Sequence, residues 1–346
     1  MIEIDGSYGE GGGQILRTAL ACSAILKKPF RITRIRAGRK NPGLQPQHLK
    51  SIEAMAKISN GRAEGDQIGS KTVAFFPGEV VPGSYEFDIG TAGSVTLLLQ
   101  TLLLPLSLCQ SESRLILKGG THVEWSPPYH YLAEVLLPTL AKMGIHIEAA
   151  LERWGWYPKG GGRVTLKIHP GGSLPPLRLE ERGPLKELYG ISAVSNLPSH
   201  VAERQRDHAR RRIEDELNLE ARIEVLSNIP AADQGSFLFI VADSEGSRSG
   251  FSSLGKKGKR AERVADEVVE ALKEYLESHA CLDPHLADQM VPFMAFASGP
   301  SSLTTTRMTE HLLTNLWVIQ HFMEISLSLS GEKGERGKID LLPLSY

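Results

Sequence analysis

The feature that most constrains this chain is its similarity to itself at a period of roughly 80 to 90 residues. In the first copy, Gly11-Gly-Gly-Gln-Ile-Leu-Arg17 opens an apolar helix that runs to about Leu26. A strand alternates over 30–37, a second helix covers 47–58, and strands follow near 61–64 and 72–76. In the second copy, Gly90-Thr-Ala-Gly-Ser94 opens a helix to Leu108, followed by a strand at 114–118, a helix at 129–143 and strands at 145–151 and 163–168. The two second helices end alike, as Met55-Ala-Lys-Ile-Ser-Asn-Gly61 and Leu140-Ala-Lys-Met-Gly144, each closed by the glycine expected at a helix stop. Each unit reads β-α-β-α-β-β.

A third copy closes the chain, with helices at 284–297 and 309–322, a strand at 302–306 and a strand pair at 324–329 and 338–342. The intervening 183–277 does not fit the period. It reads as its own small α+β set: strand 190–195, basic helix 201–217, strands 221–226 and 237–243, helix 260–277. The expected organisation is therefore an α/β (α+β) fold, in which 1–182 plus 278–346 form a large three-repeat domain and 183–277 an inserted small domain. Three units that each bury one sheet face enclose a common core, and ligands belong in the clefts between them.

Such a core needs apolar mass, and 346 residues at 41% hydrophobic provide it. The longest apolar runs, 15–26 and 95–108, are interrupted by Arg17 and Thr18 and by Gln100, Thr101 and Pro105, so neither a signal peptide nor a membrane span is expected. Cys22, Cys109 and Cys281 are spaced for neither a disulfide framework nor a zinc site, and a reducing cytoplasm suits them. The net charge of -1 means that any polyanion must be held by local clusters. Three exist: Arg31, Arg34, Arg36, Arg39 and Lys40 within ten residues that hold no acid, then the runs 204–212 and 256–263.

The segment Asp5-Gly-Ser-Tyr-Gly-Glu-Gly-Gly-Gly-Gln14 joins a strand to a helix, and its glycines let backbone N–H groups approach an anion at the helix N-terminus. A carboxylate there repels phosphate unless a cation lies between them, so Glu10 is a candidate Mg2+ ligand, or else a solvated residue of a tight turn. Arg36 and Arg39, followed by Pro42-Gly43 and Gln47-His48, form a loop whose guanidinium forks fit phosphate oxygens, and Arg17 could converge on the same point. The plain alternative is a solvated basic loop. Gln100, inside an apolar helix, is a core amide or a reader of a base or phosphate. Ser126-Pro127-Pro128 could be a helix start alone, and Asp288-Gln289 could serve in capping. His311, at the start of the last helix, could be a base, a nucleophile or a metal ligand.

Taken in order, Gly9-Glu-Gly-Gly-Gly-Gln-Ile-Leu-Arg17, Arg36-Ala-Gly-Arg39 with Pro42-Gly-Leu44 and Gln47-His48, Leu286-Ala-Asp-Gln289 and His311-Leu-Leu-Thr-Asn315 resemble the RNA 3'-terminal phosphate cyclases over nearly the whole chain. The resemblance implies a three-repeat large domain with a small insertion. It also implies ATP as co-substrate, Mg2+ or Mn2+ as cofactor and RNA with a 3'-phosphate end as partner, with no membrane and the oligomeric state open. His311 would attack the α-phosphate of ATP to give a histidine–AMP adduct. AMP would pass to the RNA 3'-phosphate, and the 2'-hydroxyl would displace it to leave a 2',3'-cyclic phosphate. Gln100, Pro127, His285, Asp288 and Gln289 would form the adenylate pocket. Arg17, Arg36, Arg39, Gln47 and His48 would bind phosphates or the RNA end, and Glu10 the metal. His285 stands where some members are expected to have tyrosine, which puts adenine contact there in doubt. A catalytically inert cyclase-like ribosome-assembly factor would share the fold but lack the nucleophilic histidine. An enolpyruvyl transferase would need about six repeats.

Overall fold

A computed structural model describes residues 1–345 of the chain. In chain order the first unit comprises β1 (Ile2–Asp5), α1 (Gly13–Leu26), β2 (Phe30–Thr33), α2 (Pro46–Ser59), β3 (Arg62–Glu64) and β4 (Val73–Phe76). The second comprises β5 (Ser84–Asp88), α3 (Val95–Ser107), β6 (Ser113–Gly119), α4 (Tyr129–Tyr131), a π-helical turn (Leu132–Leu136), α5 (Leu137–Ala141), β7 (Ile147–Arg153) and β8 (Gly162–Ile168). After the short β9 (Arg178–Leu179) come β10 (Leu185–Ser195), α6 (His200–Leu217), β11 (Ala221–Leu226), β12 (Gly235–Ser244), β13 (Arg248–Leu254) and α7 (Ala261–Ser278). The chain closes with α8 (Pro284–Ala295), β14 (Ser301–Thr305), α9 (Glu310–Phe322), β15 (Glu324–Ser330) and β16 (Gly337–Ser345).

The mixed α/β architecture expected from the sequence is what the structure shows. Its strands form four sheets, ordered β1-β2-β4-β3, β5-β6-β8-β7, β15-β16-β14-β9 and β11-β10-β12-β13. In each of the first three a parallel pair continues into an antiparallel hairpin, the pair being joined through a single helix in the first two. The long segment β10–α7 lies between β9 and α8, so the third of these sheets takes its first strand from before that segment and the rest from after it.

The helices face inward. α1 is buried along nearly its whole length, from Ile15 through Ala24, and packs against α9, α3 and α2, while α8 packs on α9. That burial explains why α1 and α3 read as almost uniformly apolar rather than striped: each has helices on one side and sheet on another. The main core runs continuously through the three like sheets and takes in Phe237 and Phe239 from one face of the fourth. A second apolar cluster, including Leu188, Ile213, Leu238, Val268 and Leu272, lies between the other face of that sheet and α6 and α7.

Several elements differ from the sequence expectation. The strand expected over 30–37 ends at Thr33, because Arg34 and Arg36 take left-handed backbone (φ 52 and 54) that leaves the sheet. The helix expected over 129–143 carries the π turn in its middle and stops at Ala141. Strands β9 and β13 were not anticipated. Among the described residues no helix is long and apolar enough to cross a membrane.

Candidate functional site

The glycine-rich turn between β1 and α1 is tied down at both ends. Asp5 Oδ1 accepts from the backbone N–H and hydroxyl of Ser7 at 3.0 and 2.7 Å, and Gly9 and Gly11 turn the chain with φ near 55. The Tyr8 ring stacks on Trp317 of α9 with centroids 3.9 Å apart and planes 6° from parallel. A Cβ on Gly9 would lie 2.6 Å from Thr314 Oγ1 and 2.9 Å from Glu310 Oε1, so the turn can sit this close to α9 only with glycine there. The result brings Glu10 to the start of α9: its Oε2 is 3.5 Å from His311 Nε2 and 3.1 Å from Arg39 Nη2.

A buried polar chain links α1, α8 and α9 below this point. Gln14 Nε2 and Thr18 Oγ1 donate to Asn315 Oδ1 at 2.7 and 2.6 Å, and Asn315 Nδ2 donates to the Asp288 carbonyl at 2.7 Å. Thr309 caps α9 by accepting from the Leu312 N–H at 2.9 Å, and it donates to the Asp288 carboxyl. Burial pushes that carboxyl well above the usual carboxylate range, and Asp283 and Glu10 push it the same way.

Arg17 stands beside the chain. Its Nη2 donates to Gln14 Oε1 at 2.7 Å, its Nε is buried without a partner, and among the described residues no carboxylate pairs with it. Burial pulls its guanidinium down to about 10. Burial also lowers His311, with Arg17, His285 and Arg39 acting in the same sense against Glu10, so the imidazole keeps a free lone pair.

His48 lies against the start of α1. Its Nδ1 accepts from the Gln45 N–H at 3.0 Å, so the ring proton sits on Nε2, which lies 2.5 Å from where a Cβ on Gly13 would be. Burial, with Arg17 and Arg36 nearby, pulls His48 down to about 3 and keeps it neutral. Arg36 donates to the Asn41 carbonyl at 3.2 Å, and its buried Nε has no partner. Gln47 sits apart: its Oε1 accepts from the Ser94 N–H at 3.4 Å and ties α2 to the start of α3.

A cavity of about 950 Å³ opens beside His311. Arg17, Gln100, Pro127, His285, Asp288, Gln289 and His311 line it, whereas Glu10, Arg36, Arg39, Gln47 and His48 do not. Gln100 Nε2 donates to Gln289 Oε1 at 2.7 Å, and Gln289 Nε2 donates to the His285 carbonyl at 2.8 Å, so these two amides hold each other across α3 and α8. The facing wall comes from the fourth sheet and its exit loop, through Phe251, Lys256 and Lys259.

The structure thus gathers His311, Glu10, Arg39 and Arg17 near one point, with Arg36 and His48 at the turn and Gln47 at the seam of two units. Sequence reasoning missed Gln14 and Asn315 as partners in the polar chain. A lone Asn within an apolar helix was the available signal. It also missed the cavity wall carried by β13. Among the described residues no three His, Cys, Asp or Glu side chains cluster as a metal site. Glu10 fits Mg2+ only as one protein ligand, the other positions being water and substrate phosphate, which is the usual way Mg2+ is held.

A family model described as RNA 3'-terminal phosphate cyclase matches residues 8–329. A protein of that name from Methanopyrus kandleri is 43% identical over 348 residues, covering 99% of each chain. Another from Pyrococcus furiosus is 44% identical over 340 residues and 98% of each, and one from Nostoc punctiforme 43% over 329 residues, with 93% of this chain and 94% of that one. Among solved structures, an EPSP synthase from Acinetobacter baumannii aligns with 99% of this chain and 64% of its own at 12% identity and a TM-score of 0.30, a level that carries no argument.

Proposed function

The chain belongs to the RNA 3'-terminal phosphate cyclase family, and from that premise we propose that it converts an RNA 3'-phosphate to a 2',3'-cyclic phosphate with ATP, through an adenylate carried on His311. The observation that carries this reading is the placement of a half-buried His311 on the cavity wall beside Arg17, where burial disfavours its charged form, with Glu10 and Arg39 within reach of its outer edge.

The need for ATP follows from the chemistry. A phosphate monoester offers no good leaving group, so ring closure by the 2'-hydroxyl waits until one is attached. The free lone pair of His311 attacks the α-phosphorus of ATP: an N–P bond forms, and the bond to pyrophosphate breaks. An oxygen of the RNA 3'-phosphate then attacks the same phosphorus, the N–P bond breaks, and the ring nitrogen regains its lone pair. The neighbouring 2'-hydroxyl, already at high effective concentration, attacks the 3'-phosphorus and loses its proton as AMP departs.

In this scheme Arg17 and Arg39 hold phosphate oxygens with guanidinium forks, and Arg36 and His48 shape the turn that presents backbone N–H groups at the start of α1. Gln100, Pro127, His285, Asp288 and Gln289 take the adenosine. Mg2+ or Mn2+ bound through Glu10 would neutralise charge that builds on the pyrophosphate. The three free cysteines fit a cytoplasmic setting.

The test is a reaction of 3'-phosphorylated RNA with ATP and Mg2+, read by resistance of the end to phosphatase and by stoichiometric AMP and pyrophosphate. Wild type is expected to close the end and His311→Ala to leave it open. Closure by His311→Ala at the wild-type rate would remove His311 from the chemistry.

A further inference from the structure

We infer that Trp125 is a stacking platform for a nucleobase of the RNA strand just upstream of the reacting end, with Lys256 holding a neighbouring backbone phosphate. The inference rests on the cyclase reading and adds to it a place for the strand outside the reacting nucleotide.

Trp125 is 95% exposed, whereas Trp154 and Trp156 are buried and Trp317 is covered by Tyr8. A single exposed apolar side chain is ordinary, but this one is also held in left-handed backbone, φ 64, which a bulky residue adopts only when its surroundings impose it. The surroundings do impose it. Ser126 Oγ donates to the Val123 carbonyl at 3.0 Å, Thr96 Oγ1 to the Pro127 carbonyl at 2.6 Å, and the Tyr129 N–H to the Thr121 carbonyl at 2.9 Å. Pro127 and Pro128 stiffen the chain between the indole and α4. The loop is clamped on both sides of the indole, and the ring itself is left in water.

Its position gives the ring a use. Trp125 lines the same cavity as Arg17, Asp288 and His311. Lys256, from the loop after β13, lines that cavity as well, and its Nζ is 3.5 Å from Glu124 Oε1. A cation therefore stands at the residue preceding the indole and offsets the acid that would otherwise repel a backbone. An aromatic face with a nearby lysine is the pairing that grips single strands, because every base has a π-face and every linkage a charge. A strand whose terminal phosphate reaches His311 has to leave through the mouth of this cavity. A ring so open has no facing wall, which suits a passing strand better than an enclosed mononucleotide.

The test uses the full-length protein and a short single-stranded RNA with a 3'-phosphate. Trp125→Ala is expected to raise KM for RNA roughly 5- to 150-fold, as loss of one stacked base implies, with kcat little changed. Trp125→Phe should recover most of the loss. An RNA abasic just upstream of its terminal nucleotides should be used equally poorly by wild type and Trp125→Ala. Lys256→Ala should flatten the dependence of RNA binding on log salt by about 0.7. Labelling of the protein by ATP without RNA should be the same in Trp125→Ala and wild type. An unchanged KM in Trp125→Ala, or slower labelling by ATP alone, would overturn the assignment, the second outcome moving Trp125 to the mononucleotide. If wild type closes no RNA ends, that failure falls on the cyclase reading. Trp125 is then judged by direct binding of the same RNA, through fluorescence quenching that Trp125→Phe should remove and that would count against the platform if it persisted.

Discussion

Arg17 projects from α1 with one donor on Gln14 and a buried Nε that meets no acceptor, and among the described residues no acid balances its charge. An uncompensated guanidinium is unfavourable in the apoprotein and useful only to an anion. Arg17→Met is therefore expected to leave the thermal midpoint unchanged or slightly raised. It should lower turnover of 3'-phosphorylated RNA by about 1.5 to 3 kcal/mol for each charged hydrogen bond lost, roughly 10- to 150-fold. Asn315 is the opposite case. Asn315→Leu strands the Thr18 hydroxyl proton and the Asp288 carbonyl and leaves Gln14 Nε2 only its 3.4 Å contact with Thr18 Oγ1, and should reduce stability by about 1 to 3 kcal/mol for each group left unpaired, read from the denaturant midpoint. The glycines, Glu10 and the arginines were legible as candidates because turns and unpaired charge announce themselves locally. Asn315 was not, since its partners on α1 lie about three hundred residues away in sequence and only packing supplies them.

The seam between the second sheet's helix and β12 is where elements meet through titratable groups. His122 Nε2 and His130 Nδ1 are 2.8 Å apart, His122 stacks on Trp154 at 4.1 Å, and Phe237 closes one side. Burial holds His130 down at about 4 from an ordinary 6.5, and burial with His130 alongside holds His122 well below its ordinary value too. Below pH 6.5 the unfolded chain takes protons that the folded one refuses, so this pair's stability is full above 6.5 and lost as pH falls toward about 4. Thermal midpoints measured across that window should fall, and His130→Gln should fall less steeply. Equal slopes would locate the acid sensitivity elsewhere. Helices α1, α3 and α9 were readable from their apolar runs, and α2 from the Asn60-Gly61 stop that follows it. β9 was not, being two residues that gain order only by pairing with Ser302 and Leu303 beyond the long intervening segment. β13 reads as loop, Arg-Ser-Gly-Phe-Ser-Ser-Leu, and becomes a strand by pairing along β12.

At the scale of the whole molecule, the three like sheets surround one helical core, and the fourth sheet has its second apolar cluster under α6 and α7. We expect 183–277 to behave as a unit: limited proteolysis should cut first near 183 and 278, and cuts concentrated inside the first two sheets would refute that division. The expected repeat rested in sequence on the glycine-opened helices of its first two copies, after 11–13 and 90–94. The cavity was not, because its walls come from α1, α3, α8 and the loop after β13, which only the assembled fold brings face to face. That assembly is what the proposed chemistry needs, and incubation with ATP labelled at the α-phosphate, with Mg2+ and no RNA, tests it most directly. Wild type is expected to retain label in a bond that acid breaks and alkali spares, since protonating the ring nitrogen makes imidazole a good leaving group. RNA ending in 3'-phosphate should discharge the label as AMP, and RNA ending in 3'-hydroxyl should not. His311→Ala should stay folded and take up none. Unlabelled wild type, or a labelled His311→Ala, would contradict the account and favour an inert member of the same fold.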